Sequence, residues 1–143
     1  MTVIVWDGVT LAADKQANYG GMRRTVTKIF KTDHGLVGCA GEISFGLSMV
    51  DWINSGMIKD QYPVHQKDKD DWQTVILVTN DKRILMFERT PHPIEYFDKF
   101  TAIGSGREYA TASLHCGKSA RESVEIACLF DTDCGCGIDE ITL

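Results

Sequence analysis

No apolar run in this sequence approaches the roughly twenty residues that a membrane-spanning helix needs. The first residues carry neither the basic start nor the small-residue cleavage pattern of a secretory signal. The expectation is a cytoplasmic protein with no membrane partner. A surplus of positive charge is missing too: 15 Lys and Arg stand against 20 Asp and Glu, a formal net charge of -5. Without a general basic field, nucleic acid is set aside as a partner. Internal repeats and low-complexity segments are absent. Cysteines number five, an odd count without a secretion signal, so they are read as free thiols. In "CGCG", Cys134 and Cys136 form one pair with no matching second pair, which is too little for a metal site. No metal or cofactor is expected.

What is present fits one domain spanning residues 1-143, with 43% hydrophobic and 24% charged residues. "TVIVW" (2-6) and "VTLAA" (9-13) are β-branched apolar runs joined by Asp7-Gly8, a two-residue hairpin turn of type I′. That turn pairs Trp6 with Val9 and sets Ala13 opposite Thr2 and Asp14 opposite Met1. The Asp14 side chain then points away from that of Thr2 unless a bulge or strand end re-aims it. Because neither run alternates, both belong in a sheet covered on both faces. Further strands are expected at 27-32 and 35-41, as a pair within 74-88 turning at Asn80-Asp81, once or twice after Pro93, and in "GIDEITL".

A helix over 43-53 is expected to bury Ile43, Leu47, Val50 and Ile53 and to stop at Gly56. A second, at 107-116, would pack closely through Ala110 and Ala112. A third starts at the Ser119/Glu122 capping-box pattern and buries Val124, Ala127 and Cys128. The charged stretch 57-72 reads as a solvated loop. This order predicts an α+β layered sandwich, two stacked sheets with helices outside.

Five segments in order, "DGVTLAAD", "KIFK", "GCAG", "KFTAIGSGREYA" and "FDTDCGCGIDEITL", resemble the proteasome β-subunit family, including the HslV peptidase. The resemblance implies a four-layer αββα sandwich of the N-terminal nucleophile (Ntn) hydrolase fold, shortened, and assembly into a homo-oligomeric ring. It also implies roles. Thr2 looks like the nucleophile once Met1 is removed, Asp14 like the acid after the second strand, and Lys28 like the active-site lysine. Gly41 looks like the oxyanion-binding amide, Ser105 like the serine beside the terminal amine, and Asp131 like the second acid. Where the family commonly has another serine, this chain has Cys134, a weaker donor. Ala17, Asn18 and Cys39 fall where the family binds substrate, and the small thiol of Cys39 favours an apolar side chain before the cut bond. The opening hairpin is shorter than the family's, 57-72 stands where the family has a second long helix, and the sequence stops soon after "IDEITL".

Taken singly, these residues are ordinary. Thr2 is a first-strand residue, Asp14 a turn or cap residue, Lys28 a strand-edge lysine and Ser105 a helix-capping residue, while Asp131 caps or leaves a helix. The four histidines, His34, His65, His92 and His115, fall at unrelated places. Together, however, Thr2 and its liberated amine suffice for hydrolysis. A hydroxyl needs a base within reach, and an α-amino group with pKa of about 7.7–8.0 suits neutral pH. Lys28 would favour the developing alkoxide while Asp14 keeps that lysine charged and oriented. The expected function is threonine-type endopeptidase action on unfolded polypeptides, delivered by an ATP-dependent unfoldase. A catalytically silent assembly subunit of the same fold and a small-molecule Ntn amidase are the alternatives.

Overall fold

The computed structural model describes residues 1–64 and 73–143. A four-stranded antiparallel sheet has the order β10-β1-β2-β11, formed by Thr101–Ile103, Ile4–Trp6, Thr10–Asp14 and Ile138–Thr142. A five-stranded antiparallel sheet runs β5 (Ile29–Thr32), β6 (Gly35–Ala40), β7 (Thr74–Thr79), β8 (Ile84–Phe87) and β9 (Ile94–Tyr96). A separate ribbon pairs β3 (Gln16–Tyr19) with β4 (Met22–Thr25), and the helices are α1 (Ile43–Asn54), α2 (Arg107–His115) and α3 (Ala120–Phe130). No helix of the described residues is long and apolar enough to cross a membrane.

Three apolar clusters explain why the strands lack alternation. Ile4, Trp6, Leu11 and Ala13 meet Ile29, Leu36, Ile76 and Met86 of the larger sheet. From the other face of the smaller sheet, Val3, Val5 and Ala12 meet Ala110, Leu114, Val124 and Ala127 of α2 and α3. The far face of the larger sheet, through Val37, Cys39, Val75 and Leu77, meets Phe45, Met49, Trp52 and Ile53 of α1. Every residue of β1 and β6 is buried because apolar matter covers both faces.

The opening turn departs from expectation. Ile4 pairs with Ala13 and Trp6 with Leu11, in place of the expected Trp6–Val9 pair. Asp7 is the cause: its Oδ1 accepts the N–H groups of Val9 (2.9 Å) and Thr10 (2.8 Å), and its own N–H donates to Thr10 O at 3.2 Å. Asp7 thus brackets the turn instead of occupying its centre, and Gly8, at φ +97°, takes the first central position, where a type II′ turn requires glycine. The register thus shifts by two residues, which keeps each side chain on its expected face.

Other boundaries differ for local reasons. The β7–β8 connection spans Asn80–Arg83, two residues longer than expected, with Lys82 at φ +67°. Helix α1 buries Phe45, Met49, Trp52 and Ile53, while Leu47 is 46% exposed and Val50 and Ile43 are half-buried. Helix α2 packs through Ala110, Ser113 and Leu114, leaving Ala112 outside. The capping box of α3 is present, with Ser119 and Glu122 exchanging hydrogen bonds, and Cys128 is only half-buried. Of the stretch read as a solvated loop, Ile58, Lys59, Asp60, Gln61 and Val64 are exposed as expected, while Tyr62 meets the Trp52 ring edge-on at 4.9 Å and donates to Glu88 O at 3.0 Å. Residues 65–72, with His65, lie outside the described residues.

Candidate active site

Asp14 ends β2 fully buried, and its hydrogen bonds define the site. It stands opposite Val3, accepting the Val3 N–H through Oδ1 at 3.0 Å while its own N–H donates to Val3 O. The same Oδ1 accepts from Thr2 Oγ1 at 2.9 Å and from Lys28 Nζ at 2.8 Å. Oδ2 accepts from the N–H groups of Gln16 (3.2 Å) and Gly135 (3.0 Å). The strand end therefore does re-aim the carboxylate. Thr2 precedes β1, free of the ladder, and the carboxylate curls back along the strand toward it.

Lys28 precedes β5 and is held beside β6 because its carbonyl accepts the Cys39 N–H at 2.9 Å. Only 3% of it is exposed. A buried ammonium is costly without a partner, and the carboxylate of Asp14 supplies one. The Thr2 hydroxyl and the Lys28 cation thus converge on one oxygen.

The other side of Thr2 is gripped by the turn between β10 and α2. Its N–H donates to Ser105 Oγ at 3.1 Å, and its carbonyl accepts from Ser105 Oγ (3.3 Å) and Gly106 N (3.1 Å). Gly104, at φ +97°, permits this approach; a Cβ there would lie 2.2 Å from Thr2 O. Beyond Ser105 lies Asp131, just past α3. Burial pushes its carboxyl up, but hydrogen bonds from Ser105, the Asp133 N–H and Cys134 outweigh this and hold it below its ordinary range. Cys134 joins the same cluster: Sγ donates to Asp131 Oδ2 at 3.3 Å and lies 4.0 Å from Ser105 Oγ. Burial, then the Asp14 charge, push that thiol up, so it stays protonated and remains a donor.

A cleft of about 410 Å³ opens beside Thr2. Gly41, at φ +115°, lines it together with Ala17, Asn18 and Cys39, so every residue expected to bind substrate or oxyanion borders one space with Thr2 and Lys28. Burial raises the Cys39 thiol to about 12, so its surface there is neutral. Met1, 68% exposed, also lines the cleft, while Thr2 is 2% exposed.

Several contributors have no strong signature in the sequence. Gln16 uses its side-chain nitrogen to join Asn18 Oδ1 (3.0 Å) and Thr132 O (3.2 Å), tying β3 to the loop that delivers Gly135. Gln73, 8% exposed, borders the cleft and accepts the Glu42 N–H at 2.8 Å. Gly104 and Gly135 were visible only as glycines of loop motifs.

No protein-family model and no curated protein matches the chain. Among solved structures, Thiobacillus denitrificans BPH in complex with epoxomicin superposes with a TM-score of 0.75 at 21% identity, covering 100% of this chain and 98% of the other. Thiobacillus denitrificans BPH gives 0.73 at 21% identity, covering 99% and 96%. The fold is shared over the full length of both chains.

Proposed function

We propose that this chain is a cytoplasmic threonine endopeptidase of the proteasome β-subunit and HslV type, an N-terminal nucleophile hydrolase on a shortened four-layer αββα sandwich. The three apolar clusters support that layering, since each is the seam between two successive layers. One observation carries the reading: Thr2 Oγ1 and Lys28 Nζ share Asp14 Oδ1 inside the protein, while Thr2 N faces Ser105. A threonine ahead of the first strand with a purely structural role has no need of a buried lysine. The shared fold of a protein that takes up epoxomicin is consistent with this.

With Met1 attached, Thr2 N is an amide and not a base. Its removal leaves a primary amine at that place. The amine accepts the proton of Oγ1 as the oxygen attacks the substrate carbonyl carbon, and the Gly41 N–H stabilises the resulting oxyanion. Collapse breaks the C–N bond, and the ammonium returns its proton to the leaving amine. Water then hydrolyses the ester with the amine again as base, regenerating Thr2. Lys28 lowers the cost of negative charge on Oγ1, while Ser105, Asp131 and Cys134 orient the amine. Substrates are unfolded polypeptides delivered by an ATP-dependent unfoldase into a homo-oligomeric ring.

The test is intact mass spectrometry before and after exposure to a peptide epoxyketone, whose two electrophilic carbons require both a hydroxyl and a neighbouring free amine. Loss of Met1 followed by a single adduct, absent in Thr2→Ala, is the expected result. Retention of Met1 in cells with normal aminopeptidase, with no adduct, would establish the silent subunit instead. Hydrolysis of small amides but not peptides would establish the amidase.

A further inference from the structure

Three of the five cysteines border a second cavity, of about 270 Å³, together with Gln16 and Asp131. They are Cys128, Cys134 and Cys136, all free thiols, with Cys134 buried and Cys136 exposed. The last two lie against the carboxylates of the candidate active site. Cys134 Sγ donates to Asp131 Oδ2 at 3.3 Å, the Gly135 N–H donates to Asp14 Oδ2 at 3.0 Å, and Cys136 Sγ lies 3.9 Å from Gln16 Oε1. This tripeptide therefore touches both acids, with a thiol on either side of the amide that holds Asp14. Residues two apart have Cα atoms at most about 7 Å from one another, close to the roughly 4.4–6.8 Å that a disulfide spans. Packing does not call for a thiol at position 136. The side chain is exposed, and its backbone, at φ +61°, disfavours any residue with a Cβ.

Resting on the peptidase reading above, we infer that Cys134 and Cys136 form a dithiol oxidised by hydrogen peroxide, whose disulfide switches the Thr2 site off. The Cys136 thiolate attacks one peroxide oxygen; the O–O bond breaks, leaving a sulfenic acid and a hydroxide that departs as water with the proton the thiol gave up. The Cys134 sulfur then attacks the Cys136 sulfur. The S–S bond forms, the S–O bond breaks, and the expelled hydroxide takes the Cys134 proton as a second water. Two thiols lose two electrons, and the peroxide gains them. Exposure lets peroxide meet Cys136 first, while burial keeps Cys134 protonated until its own step. A disulfide has no S–H, so Asp131 loses a donor, and closing the ring across Gly135 draws its N–H away from Asp14.

The test uses protein lacking Met1, treated with hydrogen peroxide, which is then removed before a peptide epoxyketone is added. Intact mass should fall by two hydrogens, with peptide mapping placing the bond between Cys134 and Cys136. The rate of adduct formation at Thr2 should drop about tenfold or more, and dithiothreitol should restore both mass and rate. Cys136→Ser should react at the wild-type rate and keep that rate after peroxide, although it retains the exposed Cys116. Cys134→Ser keeps a donor for Asp131 and should resist peroxide as well, so the test survives if the first variant folds poorly. Failure of the bond to form, a bond to Cys128 instead, an adduct rate unchanged by a mapped Cys134–Cys136 bond, or inhibition that persists in Cys136→Ser overturns the inference while the peptidase reading stands. No adduct in either reduced or oxidised protein overturns both.

Discussion

At Asp14, five hydrogen bonds meet a carboxylate wholly out of water, and only the one from Lys28 brings a full positive charge. Lys28→Met would strand that charge, a change that typically costs about 3–5 kcal/mol. Lys28→Arg keeps the charge but not the compact ammonium. Chemical denaturation should show a large loss for Met and a smaller one for Arg. In whatever remains folded, adduct formation at Thr2 should slow roughly 100-fold or more, because the alkoxide loses its cation. The pH profile follows from the amine, whose neutral form is the base. On the proposed reading, activity should rise with pH as the terminal amine loses its proton, measured as the rate of adduct formation against pH. Asp131 adds no limb near neutrality. Its folded pKa lies below the ordinary 3.8, so its contribution to stability is complete above that value and is lost only as pH falls through the lower, folded one. A neutral-range limb that survived in Asp131→Asn would agree with this assignment.

Elements were legible where local chemistry decides them. Ser119 and Glu122 announce the start of α3, and the structure has both reciprocal bonds; Ser119→Ala should lower stability by about 1 kcal/mol without affecting Thr2, read by thermal melting. The face of α1 was legible in period but not in phase. Apolar residues crowd both sides of "ISFGLSMVDWIN", and the larger sheet takes the side bearing Phe45 and Trp52, which its aromatic partner Phe87 meets edge-on at 5.5 Å. The β3–β4 ribbon went unforeseen because "QANY" and "MRRT" carry little apolar signal, and β4 is exposed throughout. The position of Asp14 beside Thr2 was legible in kind, although the register shifted because Asp7 brackets its turn. The glycine turn between β10 and α2 gives the sharpest prediction at this scale. Gly104→Ala places a methyl 2.2 Å from Thr2 O in a backbone conformation unfavourable to alanine, so the turn must release Thr2. Adduct formation should fall more than about tenfold while helical content by circular dichroism is kept; unchanged adduct rates would show that the turn does not position the nucleophile.

Across the whole molecule the site is a joint product of two sheets, since Thr2 and Asp14 come with the smaller one and Lys28, Cys39 and Gly41 with the larger. On the proposed peptidase reading, the distance between the sheets becomes a catalytic parameter, and Gly38 limits it. A Cβ on Gly38 would lie 2.7 Å from Cγ2 of Ile4 across the interface and 3.0 Å from Cγ2 of Ile76 on the neighbouring strand. Both atoms are on β-branched carbons with little rotameric freedom, so the added methyl has to be accommodated by moving strands. Gly38→Ala should destabilise by about 1–3 kcal/mol, a fall in Tm of roughly 2–4 °C for each kcal/mol at this chain length. Ile4 lies two residues from Thr2, and Gly38 three before Gly41. The surviving folded protein should therefore also react more slowly with an epoxyketone than Ser119→Ala does at equal loss of Tm. Pairing the substitution with Ile4→Ala, which removes the colliding Cγ2, decides the cause. If sheet separation is responsible, the two changes couple favourably by about 0.5–3 kcal/mol and part of the adduct rate returns. Strictly additive losses would place the defect within the larger sheet and leave the spacing between the sheets without a role in bringing Lys28 to Asp14.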